Sequence, residues 1–304
     1  MKDLCRHLKK SSSYVRTWFD RQPAVKEESL TDWLLFDVSA RLKNVLYHSF
    51  TRHEEAKETG ADWEWWFVFR HGAERFRVQA KKLTPAGDNY AGLVHTNKHG
   101  LQIDKLLSSA KESEAIPLYA LYSAVRGFAM CCGPIEGHQD GVFLAGAQNV
   151  YNKFIAGPRR QVTAADILSL SNPFSCFACC PLITDGGGLK RYLEQYYASE
   201  LEAHATDDAA PFTGFHAELP SYLTSFLEYD REQLPSWWES EFRTAIQDFN
   251  ALLVYDLRDH APNAVSRCAR AWDRTSLRTL GTRPISGLAP FTFSLFATDG
   301  RDGR

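Results

Sequence analysis

Gly60-Ala61-Asp62-Trp63-Glu64-Trp65-Trp66, running on through Phe67-Val68-Phe69-Arg70-His71-Gly72 to Gln79-Ala80-Lys81, is the stretch that decides the fold. Aromatic and β-branched residues flank His71-Gly72, so the segment reads as a β-hairpin with a tight turn. A turn centred there sets Asp62 across from Lys81 and Glu64 across from Gln79. Along the second arm, Phe76, Val78 and Ala80 form an apolar series that alternates with Arg75, Arg77, Gln79 and Lys81. Directly opposed side chains lie ~5 Å apart at Cβ, within reach of a common ligand. A carboxylate, an amide oxygen and an ammonium gathered on one face can hold a divalent cation and a phosphate together, which suits phosphodiester chemistry. A purely structural reading competes with this one. Trp63, Trp65 and Trp66 are core material, and a Lys opposite an Asp is commonly a solvated cross-strand pair.

Outward from the hairpin, Ser29-Leu30-Thr31-Asp32 reads as a helix start, with Leu34, Leu35, Val38, Leu42, Val45 and Leu46 at helical spacing. Tyr47 to His53 reads as a short strand. On the other side, residues 83–100 carry Pro85, Gly87, Gly92 and Gly100 and read as a loop. Leu101, Ile103, Leu106, Leu107 and Ala110 then mark an amphipathic helix whose other flank offers Gln102 and Lys105. Residues 115–122, Ala-Ile-Pro-Leu-Tyr-Ala-Leu-Tyr, have the continuous apolar character of a strand buried on both faces. Helix, strand, hairpin, helix, strand is an α/β order, and it predicts a central mixed β-sheet flanked by helices. Beyond it, residues 141–147 and 251–257 read as further strands, 163–170 as a short Thr-capped helix, and 189–248 as mainly helical. Gly186-Gly187-Gly188 precedes a helical stretch but lacks the spacing of a phosphate-binding loop, so it reads as a turn. The chain divides on this reading into an N-terminal arm (1–24), an α/β core (25–185) and a mainly helical C-terminal extension with a polar tail (186–304).

The hairpin and its neighbours resemble the active-site core of the PD-(D/E)XK, or restriction-endonuclease-like, nuclease superfamily, whose order is αβββαβ, in the variant whose third motif reads Gln-X-Lys. Asp62 matches the acidic position and Gln79-Ala80-Lys81 the second half, over roughly residues 28–122. The pairing of Gly-Ala-Asp-Trp-x-Trp-Trp with Gln-Ala-Lys is similar to that of bacterial proteins associated with defence against phage or foreign DNA. Two departures stand out: Ala61 replaces the Pro of the superfamily name, and Gln79 replaces an acid, which removes one negative charge from the metal site. The resemblance implies that Asp62, the Gln79 side-chain oxygen and the Ala80 carbonyl hold Mg²⁺ or Mn²⁺. It implies that Lys81 orients or activates the attacking water and stabilises charge developing on phosphorus. An acid from the preceding helix completes many such sites. Glu28 is the candidate here, with Glu55, Glu58 and Glu64 as competitors. The implied activity is metal-dependent endonucleolytic hydrolysis of DNA, with a defence-system partner or activating signal, and a homodimer where both strands are cut. The alternative is a nuclease-fold module without turnover that binds nucleic acid or a protein.

With 35 Lys and Arg against 37 Asp and Glu, the formal net charge is −2, so nucleic-acid contact must come from a local patch and not from the overall field. Arg70, Arg75, Arg77, Lys81, Lys82 and Arg159-Arg160 are the candidates. The sequence has no run of about 18 apolar residues and no apolar segment after Met1-Lys2-Asp3, which predicts a cytoplasmic chain without a membrane span or signal peptide. Seven cysteines are accordingly expected to be reduced thiols. Cys176-x-x-Cys179 could supply half of a zinc site with Cys131, Cys132 or His138, although its apolar neighbours Phe174, Phe177 and Leu182 favour buried thiols.

Overall fold

The computed structural model describes residues 2–50, 59–82, 93, 96, 97, 100–124, 140–157, 162–180, 188, 192, 214–228, 237, 238, 240 and 250–259. Ten strands are seen among them: β1 (Val45–Ser49), β2 (Trp63–Phe69), β3 (Gly72–Lys82), β4 (Thr96–Asn97), β5 (Gly100–Leu101), β6 (Ile116–Tyr122), β7 (Val142–Gly146), β8 (Ser171–Pro173), β9 (Phe215–His216) and β10 (Ala251–Asp256). The helices are α1 (Lys2–Arg21), α2 (Glu27–Arg41), α3 (Gln102–Glu112), α4 (Ala147–Val150), α5 (Ala164–Leu168), α6 (Cys176–Cys179) and α7 (Ser221–Glu228). A π-helical turn, Tyr151–Ile155, continues α4.

The sheet is open and mixed, in the order β1-β10-β2-β3-β6-β7-β8, with β9 pairing the start of β3; β4 and β5 form a separate ribbon. β10 runs parallel to β2 and β6 parallel to β3, while the other neighbours along that order are antiparallel. Two apolar layers follow from strand alternation. One face buries Trp63, Trp65, Phe67, Phe76, Val78 and Leu118 against α1, α2 and α6. The other buries Trp66, Val68, Tyr119 and Leu121 with residues of α3, α4, α5 and α7.

Local signals account for most elements. Leu30, Leu34, Leu35 and Val38 form the buried stripe of α2, which starts at Glu27, two residues before the Ser29 start read from sequence. α5 carries a capping box: the Thr163 hydroxyl accepts the N–H of Asp166, and the Asp166 carboxylate accepts the N–H of Thr163. All of β6 is buried, as its apolar run requires.

The hairpin register differs from the sequence reading. Phe69 pairs with Gly72, so the turn is Arg70-His71 and not His71-Gly72. Moving the turn centre back by one residue moves each partner by two: Glu64 faces Arg77, not Gln79, and the ladder ends with Trp63 opposite Val78, so Asp62 is not paired with Lys81. A shift of two keeps every side chain on its face, so the polar series stays together.

Two segments also sit differently from their sequence division. Residues 1–24, read as a short helix or arm before the core, contain α1 (Lys2–Arg21), whose Leu4, Leu8 and Val15 are buried in the main core. β10, from the segment read as a C-terminal extension, lies inside the sheet between β1 and β2. Cys5 of α1 and Cys179 of α6 are disulfide-bonded, contrary to the expectation of reduced thiols, because α1 packs across α6 and brings together residues 174 apart in sequence. Cys176 and Cys180 are buried and outside this disulfide. Among the described residues no helix is long and apolar enough to cross a membrane. Gly186-Gly187, the Cys131-Cys132 pair, Arg159-Arg160 and most of residues 83–99 and 189–248 lie outside the described residues, as does the chain after 259.

Candidate functional site

Gly60 sets where the site stands. Its φ is +69°, and an added Cβ would come within 2.7 Å of the Gln102 carbonyl oxygen and 2.8 Å of the Leu106 N, so only glycine lets this turn lie on the first turn of α3. Asp62 follows and is held on three sides. Its N–H donates to Val78 O at 2.8 Å, and its carbonyl accepts the Asn250 N–H at 3.0 Å. Its Oδ2 accepts the Ala80 N–H at 2.7 Å and Gln79 Nε2 at 2.6 Å.

From Asp62 a continuous chain of hydrogen bonds crosses the polar face of β3. Gln79 Nε2 also donates to Ala80 O at 3.1 Å, while its Oε1 accepts from Gln102 Nε2 at 2.7 Å. Gln102 Oε1 in turn accepts from Lys81 Nζ at 2.9 Å. Lys81 Nζ lies 3.7 Å from Glu27 Oε1, and Glu27 Oε2 accepts the Lys82 N–H at 2.6 Å. The N-terminus of α2, the entry to β2, the end of β3 and the start of α3 thus meet at one place.

Burial dominates the electrostatics there. Burial pushes the Asp62 carboxyl up to about 7, against the opposing pull of the Lys81 ammonium and the Ala80 N–H, and the charges of Glu27 and Glu28 push it further in the same direction. Burial raises Glu27 as well, opposed mainly by Lys81. Glu28, the acid favoured from sequence, is exposed and lines a cavity of about 910 Å³ beside Asp32, Phe36, Tyr47 and Asn250. Glu27 therefore reaches the Lys81 ammonium, while Glu28 acts on Asp62 through its charge. The sequence held a signal for this: Glu27 is seven residues before Leu34 and eleven before Val38, on the stripe that α2 turns inward.

The rest of the polar face is structural. Glu64 is fully buried, with Oε2 accepting Arg75 Nε at 3.0 Å and Nη2 at 2.7 Å, and Oε1 accepting Trp66 Nε1 and the Tyr222 hydroxyl, each at 2.7 Å. Arg75 Nη1 donates to Ser113 O and Arg77 Nη1 to Ser109 O. Burial pulls Arg77 down to about 10. These two arginines, offered by the sequence as nucleic-acid contacts, are spent on α3 and Glu64. Lys82 Nζ is likewise bound to the carbonyls of Pro23 and Val25, and Arg70 Nε to that of Arg258. Glu55 and Glu58 lie outside the described residues.

Among the described residues no three His, Cys, Asp or Glu side chains come together as a metal-binding group. A divalent ion at Asp62 would draw on Asp62 and Glu27, the Ala80 carbonyl and water; Gln79 presents its nitrogen there, so its oxygen would join the set only with the amide turned over. That donor set is all oxygen with one or two carboxylates, which is the kind Mg²⁺ takes. The raised Asp62 carboxyl is a second sign of fit, since burial strips the carboxylate of water and a cation beside it would replace that lost solvation.

No curated protein and no solved structure matches the chain. A family model does match it, over residues 4–254, and the chain belongs to that family of unknown function, DUF6615.

Proposed function

We propose that this protein is a metal-dependent nuclease with a restriction-endonuclease-like core that hydrolyses phosphodiester bonds of DNA in the cytoplasm. The observation that carries the reading is the chain Asp62–Gln79–Gln102–Lys81–Glu27, which joins the acid, the amide and the ammonium named from sequence through contacts of 2.6–3.7 Å. A bound Mg²⁺ or Mn²⁺ supplies Lewis-acid polarisation of the phosphate and a lowered pKa for its water. Asp62 and Glu27 would contribute the anionic oxygens that hold such an ion, and Ala80 a fixed backbone carbonyl. Lys81, held by neighbours on two elements, donates to the phosphate oxygens that gain charge as water adds to phosphorus and one P–O ester bond breaks. The products are a phosphomonoester and a hydroxyl.

The test is incubation of linear and plasmid DNA with the full chain and Mg²⁺ or Mn²⁺, beside Asp62→Ala and Lys81→Ala. Cleavage by the wild type that both variants lose supports the reading; cleavage that survives in both refutes this site. A second reading, a nuclease-fold module that binds DNA or a protein without cutting, is favoured by one contact: Gln79 turns its nitrogen, not its oxygen, toward Asp62. Binding without cleavage under either metal selects it. An effector of anti-phage defence, acting with a partner or as a homodimer, is the biological setting we propose for the active form.

A further inference from the structure

The orientation of both glutamine amides at the site is fixed by chemistry at the two ends of the chain. At one end Gln79 faces the Ala80 carbonyl, which can only accept, and Asp62 Oδ2, which already accepts the Ala80 N–H. Gln79 must therefore present its nitrogen there, and its oxygen to Gln102. At the other end Lys81 is an ammonium with no acceptor, so Gln102 must present its oxygen to it and its nitrogen to Gln79. The polarity runs unbroken from ammonium to carboxylate.

In this amide orientation Gln79 opposes a cation on Asp62. Gln79 Nε2 sits 2.6 Å from Asp62 Oδ2 and 3.1 Å from Ala80 O, the two oxygens that the proposed function assigns to the ion. A cation there repels that N–H₂ group and attracts the amide oxygen, so Gln79 must turn over. Its nitrogen then faces the Gln102 nitrogen, and two donors cannot bond, so Gln102 must turn over too. The Gln102 nitrogen is then directed at the Lys81 ammonium, which loses its neutral acceptor and keeps Glu27 as its anchor.

We infer that Gln102 is a positioning residue that couples ion entry at Asp62 to release of Lys81, through the paired reversal of the Gln79 and Gln102 amides. The inference rests on the metal-dependent reading of this site and adds its regulation: Lys81 is held back from phosphate until the ion is in place. A Gln in place of the expected acid is what makes the relay possible, because a carboxylate has no donor end to reverse.

The test measures Mn²⁺ binding to the full chain without nucleic acid, by electron paramagnetic resonance of the free ion, alongside ¹H–¹⁵N spectra of the side-chain amides. In the wild type, Mg²⁺ is expected to shift the Gln79 and Gln102 amide signals together. Gln102→Leu frees Gln79 from the need to displace Gln102 from Lys81, and is expected to bind Mn²⁺ tighter by about tenfold or more, the worth of one charge-assisted hydrogen bond. Gln102→Glu keeps the length and accepts at both ends, so it is expected to bind the ion more tightly yet hold Lys81, lowering kcat for DNA with little change in KM. A merely structural Gln102 gives equal or weaker binding in Gln102→Leu; Gln102→Glu adds a negative charge that attracts any cation, so that variant is read by kcat. If Mn²⁺ binds the wild type and is lost in Asp62→Asn, but Gln102→Leu binds no more tightly, the relay is overturned and the site survives. If Mn²⁺ binding is absent, or indifferent to Asp62→Asn, both fall.

Discussion

Glu27 and Lys81 are joined across two elements: Glu27 Oε1 lies 3.7 Å from Lys81 Nζ, while Glu27 Oε2 accepts the N–H of Lys82 at 2.6 Å. One carboxylate thus fixes both the end of β3 and the ammonium that β3 carries. Glu27→Gln is expected to lower metal-dependent cleavage by about tenfold or more, the usual effect of removing a group that orients a metal-site side chain. Glu28→Gln, whose side chain is exposed, is expected to stay within about twofold on the same grounds. Initial rates under saturating Mg²⁺ decide; the opposite ranking would return the acidic role to Glu28.

Asp62 makes the metal-free protein pH-sensitive. Burial raises its folded carboxyl to about 7 from an ordinary value of 3.8, so between those limits the native state holds a proton that the unfolded chain has released. That contribution to stability is fully present below about pH 3.8 and is lost as pH rises through about 7. Asp62→Asn does not titrate. Without metal, thermal melts are expected to move in favour of the Asn variant between pH 5 and pH 8 by several degrees, about the effect of 1–2 kcal/mol. Mg²⁺ is expected to stabilise the wild type alone, and more at pH 8 than at pH 6. A melting difference independent of pH would contradict the raised carboxyl.

Glu64 should matter to stability and little to chemistry. It is fully buried and holds the Arg75 guanidinium by two hydrogen bonds. Glu64→Gln leaves that guanidinium buried without its counter-charge and is expected to cost about 3 kcal/mol in urea unfolding. Mn²⁺ affinity of the folded fraction is expected to be unchanged. A large loss of affinity at unchanged stability would place Glu64 in the metal site instead.

Gly60→Ala tests the seating of Asp62 on α3. The new Cβ meets backbone atoms of Gln102 and Leu106, which cannot rotate aside, and φ is +69°. We expect about 1–3 kcal/mol of destabilisation from the strained backbone. We also expect weaker Mn²⁺ binding, because the turn must lift from α3 and separate Gln79 from Gln102. Calorimetric unfolding and ion titration of the same sample check both.

How much of this could be read in the sequence depends on how local each signal is. The alternation of Phe76, Val78 and Ala80 with Arg75, Arg77, Gln79 and Lys81 fixed the faces of β3, and the apolar run 115–122 fixed β6, because strand periodicity is written residue by residue. The register was not legible. Arg70-His71 carries no turn signature, and the true and expected pairings differ by two residues and so share the same faces. The polar face read as an open pocket, yet α3 and Tyr222 of α7 cover its middle, so Glu64, Arg75 and Arg77 satisfy one another and the helix carbonyls instead of a ligand. Gln102 was visible as the polar flank of α3, but its link to Gln79 depends on Gly60 bringing the helix close. The insertion of β10 beside β2 and the bond between Cys5 and Cys179 join residues too far apart in sequence for any local pattern to announce.

Because β10 is the parallel neighbour of β2, and the Asn250 N–H binds the Asp62 carbonyl, the centre of this protein closes only once residues 250–256 have left the ribosome. A polypeptide ending before Asn250 would leave the facing edges of β1 and β2 bare and the Asp62 carbonyl without that N–H, so the seat of the acid is completed from the far end of the described chain.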